Sequence, residues 1–239
     1  MTNCNAETSP RAYARIAGGL YLIIFIVAPF AFEFGRTSVV VPGDATATVD
    51  NIMASESVFR IGMAAESVVV LVEIVLAAIL YVLLKPVNKA LSLAAAFSRL
   101  AEAVVQAVNL LTGVPALLLL GGAGYLTVFE PAQLDALVLL FLDANAFMIL
   151  VWGLIFGFHL LLLGYLVYKS GFWPRILGIL LLLASLGYLA QSYGHLLAPQ
   201  YDDLLATIVL VLAVPGELAF TLWLLINGVN VERWEERAH

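Results

Sequence analysis

Charged and strongly polar side chains stand inside long apolar runs of this chain, where ionised groups are costly. The stretch SRLAEAVVQAVN, residues 98–109, carries Arg99, Glu102, Gln106 and Asn109 between ALSLAAAF and LLTGVPALLLL. At about 100° per residue these four fall within about 80° of one another, so a helix would present them as one polar stripe. Glu66 and Glu73, seven residues apart in the preceding apolar run, share a face in the same way. Asp143, Asn145 and His159 follow in the next long run, then Gln191 and His195, and finally Glu217 within AVPGELAF. The chemistry open to such a set is limited. A guanidinium orients an anionic group or holds a carboxylate ionised, and a carboxylate kept from water takes up and releases a proton.

Depth and charge balance sharpen that list. Counted by rise per residue, Glu73, Arg99, Glu102 and Glu217 lie within a few ångströms of the middle of their runs. Each lone charge there costs at least about 2.5–3.5 kcal/mol. Arg99 should therefore pair with Glu73 or Glu102 across a helical hairpin. Three carboxylates against one arginine leave acid in excess, so either water reaches them or at least one holds a proton. Paired charges that merely fix helix packing are the competing explanation. Gln106 and Asn109 fit interhelical hydrogen bonds better than ligand contacts. Pro215 and Gly216 could open the backbone beside Glu217, although both residues are frequent in ordinary membrane helices.

The elements that must position these residues follow from composition. The 239 residues are 63% hydrophobic and 12% charged, about half the charge of a soluble domain, with a mean hydropathy of +1.02. Six apolar runs, at about 14–34, 59–84, 90–112, 137–168, 174–195 and 204–227, each exceed the ~20 residues needed to cross ~30 Å of hydrocarbon. The sequence predicts an all-α integral membrane bundle of six transmembrane helices in a single polytopic domain. The first run exceeds a signal-peptide core and reads as an uncleaved span. The fourth is over-long for one crossing, and the third either continues through Pro115 to Leu120 or stops before a separate interfacial segment. Residues 35–58 should form a loop or a short surface helix, and GGAGY, 121–125, a loop.

Charge sorting gives an orientation. Arg11, Arg15, Lys85, Lys89, Lys169, Arg175, Arg233 and Arg237 fall on one side; Asp44, Asp50, Glu56, Glu130, Asp202 and Asp203 fall on the other, with Arg36 as a loop cation. The positive-inside rule then puts both termini in the cytoplasm, with Trp173 and Trp234 as interfacial anchors on that face. Two hairpins of like orientation, YVLLKPVNKALSLAA and YLVYKSGFWPRILGILL, hint at a parallel repeat.

Other chemistry finds less support. With 11 Lys and Arg and no basic cluster, nucleic-acid binding is not expected. The single cysteine, Cys4, excludes an intrachain disulfide and multi-cysteine metal sites, and no lipobox-like run precedes it. No cofactor is expected. His159 with His195 and Asp143 is an alternative metal set that lacks a recognised spacing, and a haem on His159 is a further alternative. Gly18-Gly19 and Gly153-x3-Gly157 suit close helix packing.

The segments YVLLKPVNKALSLAAAFSRLAEA, HLLLLGYLVYKSGFWPRILGILLLLASLGYL and PGELAFTLWLLINGVN resemble the bacterial membrane family called domain of unknown function 4386. Lys85, Arg99, Glu102, His159, Lys169, Arg175 and Glu217 carry the resemblance. It implies a multi-span protein of the bacterial cytoplasmic (inner) membrane with no assigned activity. Gln191-Ser192 stands where relatives often have Asp-Ser.

The sequence thus predicts a polar mid-membrane pocket among spans two, three, four and six. Glu66, Glu73, Arg99, Glu102, Asn109, Asp143, His159 and Glu217 are its ligand-binding or proton-exchanging candidates. Binding or transport of a small lipophilic or anionic molecule, coupled to protons, leads. An intramembrane enzyme acting on a lipid or quinone, or a helical accessory subunit of a membrane complex, are the alternatives. The lipid bilayer is the expected partner, with a small-molecule ligand.

Overall fold

A computed structural model describes residues 9–238; Cys4 lies outside them. The described chain is all helical in its regular structure. Its elements are α1 (Pro10–Pro29), α2 (Ala45–Ala54), α3 (Glu56–Leu84), α4 (Lys89–Leu111), α5 (Gly113–Leu120), α6 (Pro131–Ser170), α7 (Arg175–Leu197), α8 (Asp202–Ile226) and α9 (Val231–Ala238). Six helical stretches are long and apolar enough to span a membrane: Pro10–Val39, Glu56–Leu84, Lys89–Leu120, Pro131–Ser170, Arg175–Leu197 and Pro199–Ile226.

Local chemistry sets the boundaries. Asp44 caps α2 by accepting from the Ala47 N–H at 2.9 Å, and Asn88 caps α4 by accepting from Leu91 N–H at 2.9 Å. α6 begins at Pro131, which needs no N–H partner there, while the Gln133 side chain accepts from the Glu130 N–H at 3.0 Å. At 40 residues α6 is about 60 Å long, twice a hydrocarbon core, so the expected excess length is real. The third span continues to Leu120 as two pieces. Pro115 lacks the N–H that would bond Leu111, and the helix breaks at Thr112 before resuming as α5. Residues 37–39 form a short tight turn, α2 fills most of the loop that follows, and 124–128 form another tight turn after the Gly121-Gly122 bend.

The chain divides into two compact units. The first comprises Met1–Leu22, Glu73–Ala101 and Gly153–His239. Glycines let its helices meet backbone to backbone. A Cβ added at Gly178 of α7 would stand 2.5 Å from Tyr168 N of α6, and one at Gly18 of α1 would stand 2.5 Å from Leu225 N of α8. Gly153 and Gly157 face Ser192, Tyr188 and Leu189 of α7, as their spacing suggests, and the Ser185 hydroxyl donates to the Gly157 carbonyl at 2.7 Å. Gly19, by contrast, meets nothing within 4 Å. Trp173 is buried, with its indole N–H donating to Gly228 O at 2.9 Å, so it packs inside the unit instead of anchoring at a surface. Trp234 of α9 is half-buried and donates to Leu83 O at 2.8 Å.

The second unit comprises Ile23–Val72 and Glu102–Trp152. Its apolar core gathers Val39, Val49, Ile52, Phe59, Ala116, Val138 and Leu142, so α2 packs inward through Val49 and Ile52. After Pro29, α1 widens into a π-helical turn over Phe30–Phe34. A Cβ at Gly35 would meet Gly62 Cα at 2.5 Å. That close approach sets Arg36 beside Glu66, one turn along α3 from Gly62.

Candidate functional site

The first unit holds a polar centre built around Arg99, which is 2% exposed. Its guanidinium carbon lies 5.3 Å from the Tyr21 ring centroid and 5.4 Å from that of Phe156. Two aromatic contacts with a desolvated guanidinium each contribute on the order of 1–2 kcal/mol. Further aromatics hold the rings. Tyr21 packs edge-on to Phe220 at 5.9 Å, and Phe156 edge-on to Tyr188 at 4.9 Å.

Three ionisable groups share this guanidinium. Arg99 acts electrostatically on Glu73 of α3, on Glu217 of α8 and on His159 of α6. Tyr188 hydrogen-bonds the Glu217 carboxylate. His159 Nδ1 lies 2.9 Å from the Ala95 carbonyl. That oxygen can only accept, so Nδ1 carries a proton and Nε2 points elsewhere. Glu73 Oε2, Glu217 Oε1 and His159 Nε2 are buried without a hydrogen-bond partner among the described residues. Glu217 as a whole is half-buried, while its Oε1 is sealed from solvent. α8 runs as one helix through Pro215, and Gly216 allows Leu180 O of α7 within 2.8 Å of the position a Cβ would take.

A second centre lies in the other unit and rests on a residue that charge sorting had placed in a loop. Arg36 is buried, with Nε 2.6 Å from Glu66 Oε1 and Nη2 donating to Glu66 Oε2 at 2.9 Å. The pair is bidentate, and both side chains are almost fully covered, at 4% and 0% exposure. Arg36 also donates to Leu110 O and to Thr112 Oγ1, both at 3.3 Å. Asn145 Nδ2 donates to Asn109 Oδ1 at 2.9 Å and to Thr112 Oγ1 at 3.0 Å. The break between α4 and α5 supplies these partners, since it frees the carbonyls and hydroxyl of the last α4 turn.

The candidate residues thus divide. Glu73, Arg99, His159 and Glu217 converge in one unit; Glu66 and Asn109 join a different network; Glu102 is fully buried in that second unit; Asp143 is exposed and lines the same recess as Arg36. Every member of the α4 stripe is buried, so the stripe faces inward along its whole length. His195 pairs with Asp202 at 2.7 Å across the α7–α8 turn. Among the described residues, no three His, Cys, Asp or Glu gather in a metal-binding group. Sequence reasoning missed Tyr21, Phe156 and Tyr188, which look like any lipid-facing aromatics, and Arg36 and Thr112. Arg36 stood in plain view as a lone cation on the acidic side. The exposed cation there is instead Arg60, paired with Glu56 at 2.7 Å.

Comparison with known proteins agrees with the sequence resemblance. A family model described as Domain of unknown function (DUF4386) matches residues 16–228. An uncharacterised protein of Archaeoglobus fulgidus is 31% identical over 162 residues, covering 67% of this chain and 79% of that protein. No solved structure matches the chain. A multi-pass helical membrane protein, this chain belongs to the family Domain of unknown function (DUF4386).

Proposed function

We propose that the protein sits in the bacterial inner membrane with both termini in the cytoplasm, and that the Arg99 centre binds or carries a small lipophilic anion together with a proton. Three buried atoms around one guanidinium, Glu73 Oε2, Glu217 Oε1 and His159 Nε2, that make no hydrogen bond among the described residues carry this reading. A lock that only fixed packing would satisfy its polar atoms, since each one left unpaired costs about 1–3 kcal/mol. With Glu73 and Glu217 both ionised, the centre holds one cation and two anions. An incoming carboxylate would add a further negative charge beside them. It can take a place at Arg99 only if one resident carboxylate accepts a proton, so anion and proton uptake are linked. Tyr21, Phe156 and Tyr188 favour an anion with an apolar or aromatic body. The eight cations of the inner loops and termini support the orientation.

The test is proton uptake on binding. Purified protein in weakly buffered detergent solution is titrated with a panel of aromatic and medium-chain carboxylates, following heat and pH together. A binding carboxylate should bring up about one proton per site. Arg99→Leu should abolish binding, and Glu217→Gln should bind with reduced proton uptake. If Arg99→Leu together with Glu73→Gln binds the same ligand as tightly as wild type, the Arg99 site is refuted.

A further inference from the structure

The Arg36–Glu66 pair of the second unit does not end in packed side chains. Beside it opens a recess of about 140 Å³ lined by Arg36, Thr37, Asp143, Asn145, Ala146 and Ile149, among others. That volume holds several waters. Its walls carry hydrogen-bonding groups with capacity to spare. The contacts of Arg36 engage Nε, both Nη2 hydrogens and one Nη1 hydrogen, which leaves one of five N–H groups uncommitted among the described residues. Asn145 is 5% exposed and spends its amide hydrogens on Asn109 and Thr112, so its carbonyl oxygen is left as an acceptor. Asp143 is exposed and brings a carboxylate to the recess. The π-helical turn at Phe30–Phe34 places Phe32 in the same wall; such turns often mark functional sites.

We propose that this recess is a hydrated vestibule that admits water and small cationic or neutral polar solutes to the Arg36–Glu66 pair and turns anions away. The selectivity follows from the charges. Glu66 neutralises Arg36 through two contacts, so the one uncompensated charge on the lining is Asp143. A donor from Arg36 and acceptors from Asn145 and Asp143 suit an ammonium or a hydroxyl group. Solute chemistry here is opposite to that proposed at Arg99, and neither reading depends on the other.

Cysteine accessibility tests it. In a Cys4→Ser background, the full chain in lipid nanodiscs carries Ala146→Cys or Ile149→Cys, both on the vestibule wall. Leu140→Cys and Val151→Cys are the comparison. Both are exposed apolar positions of α6 that do not line the recess and that bracket it in depth. The probes are a trimethylammonium-ethyl and a sulfonatoethyl methanethiosulfonate, their rates normalised to free cysteine. A wetted thiol ionises, and the thiolate is the reactive species, so the vestibule positions should react roughly tenfold faster than the bracketing ones. The cationic reagent should be favoured about threefold, and Asp143→Asn should level the two. Equal rates at lining and bracketing positions would overturn the vestibule. A preference for the anionic reagent, or a cationic preference untouched by Asp143→Asn, would overturn the charge selection.

Discussion

At Arg99 the charge and the plane of the guanidinium both matter. Its guanidinium carbon lies over the Tyr21 and Phe156 rings while its charge acts on Glu73 and Glu217. Lysine keeps the charge but loses the planar five-donor fork, so Arg99→Lys should behave more like Arg99→Leu than like wild type in the carboxylate-binding assay. At Arg36 the contacts are more completely paired, and stability is the relevant readout. Arg36→Ala leaves the Glu66 carboxylate, itself 0% exposed, without its cation and should cost about 3–5 kcal/mol in denaturant unfolding. Arg36→Met combined with Glu66→Leu should recover most of that loss, because a buried pair replaced as a unit leaves no orphaned charge. A double mutant as unstable as Arg36→Ala would show that the network contributes more than charge compensation. The two arginines were unequally legible in sequence. Arg99 lies in mid-run, where only a buried partner explains it. Arg36 follows the apolar stretch by two residues, and linear position could not distinguish a loop from a side chain folded back against α3.

The helices of the first unit meet along glycine seams, and these make the sharpest test of the packing. Gly178→Ala would press a methyl against the Tyr168 backbone, which has no flexible side-chain end to yield. A loss of about 1–3 kcal/mol, seen as a lower unfolding midpoint in detergent, is expected. Gly19→Ala, one residue from the tight Gly18 contact but in open space, should be neutral or slightly stabilising because alanine favours helix. If both substitutions behave alike, the α6–α7 approach is wrong. Span number and type were evident from apolar run length, and the excess length of α6 from its count. The break at Thr112 was an open alternative, because Pro115 permits a kink without requiring it; the hydrogen bonds of Thr112 with Arg36, Asn109 and Asn145 settle it locally. Trp173 shows the reverse case. An indole at a turn suits either an interface or a core, and its bond to Gly228 O decides for the core.

For the whole molecule, the positive-inside pattern makes topology a direct prediction. Reporter fusions at the C-terminus and in the Lys85–Lys89 turn should be active only with a cytoplasmic reporter, and one in the 43–44 turn only with an external reporter. A C-terminal fusion active outside would invert the proposed orientation. With Arg36 buried, the acidic side exposes one fewer cation than the sequence count suggests, and Arg60 is held by Glu56. The charge asymmetry is therefore steeper in the folded chain than in the sequence.

Composition and run length alone determined that this is a multi-pass helical membrane protein, because hydrocarbon demands about 20 apolar residues per crossing and leaves few other solutions. Helical period alone determined that Arg99, Glu102, Gln106 and Asn109 share an inward face. Pairing was another matter. Which carboxylates gather at Arg99, that Glu66 belongs to Arg36, and that Tyr21 and Phe156 flank a guanidinium all depend on residues separated by tens of positions along the chain. Those encounters are set by backbone approaches, such as Gly35 to Gly62 and Gly164 to Gly178. Periodicity fixes the face a side chain takes on its own helix; only packing decides what that face meets.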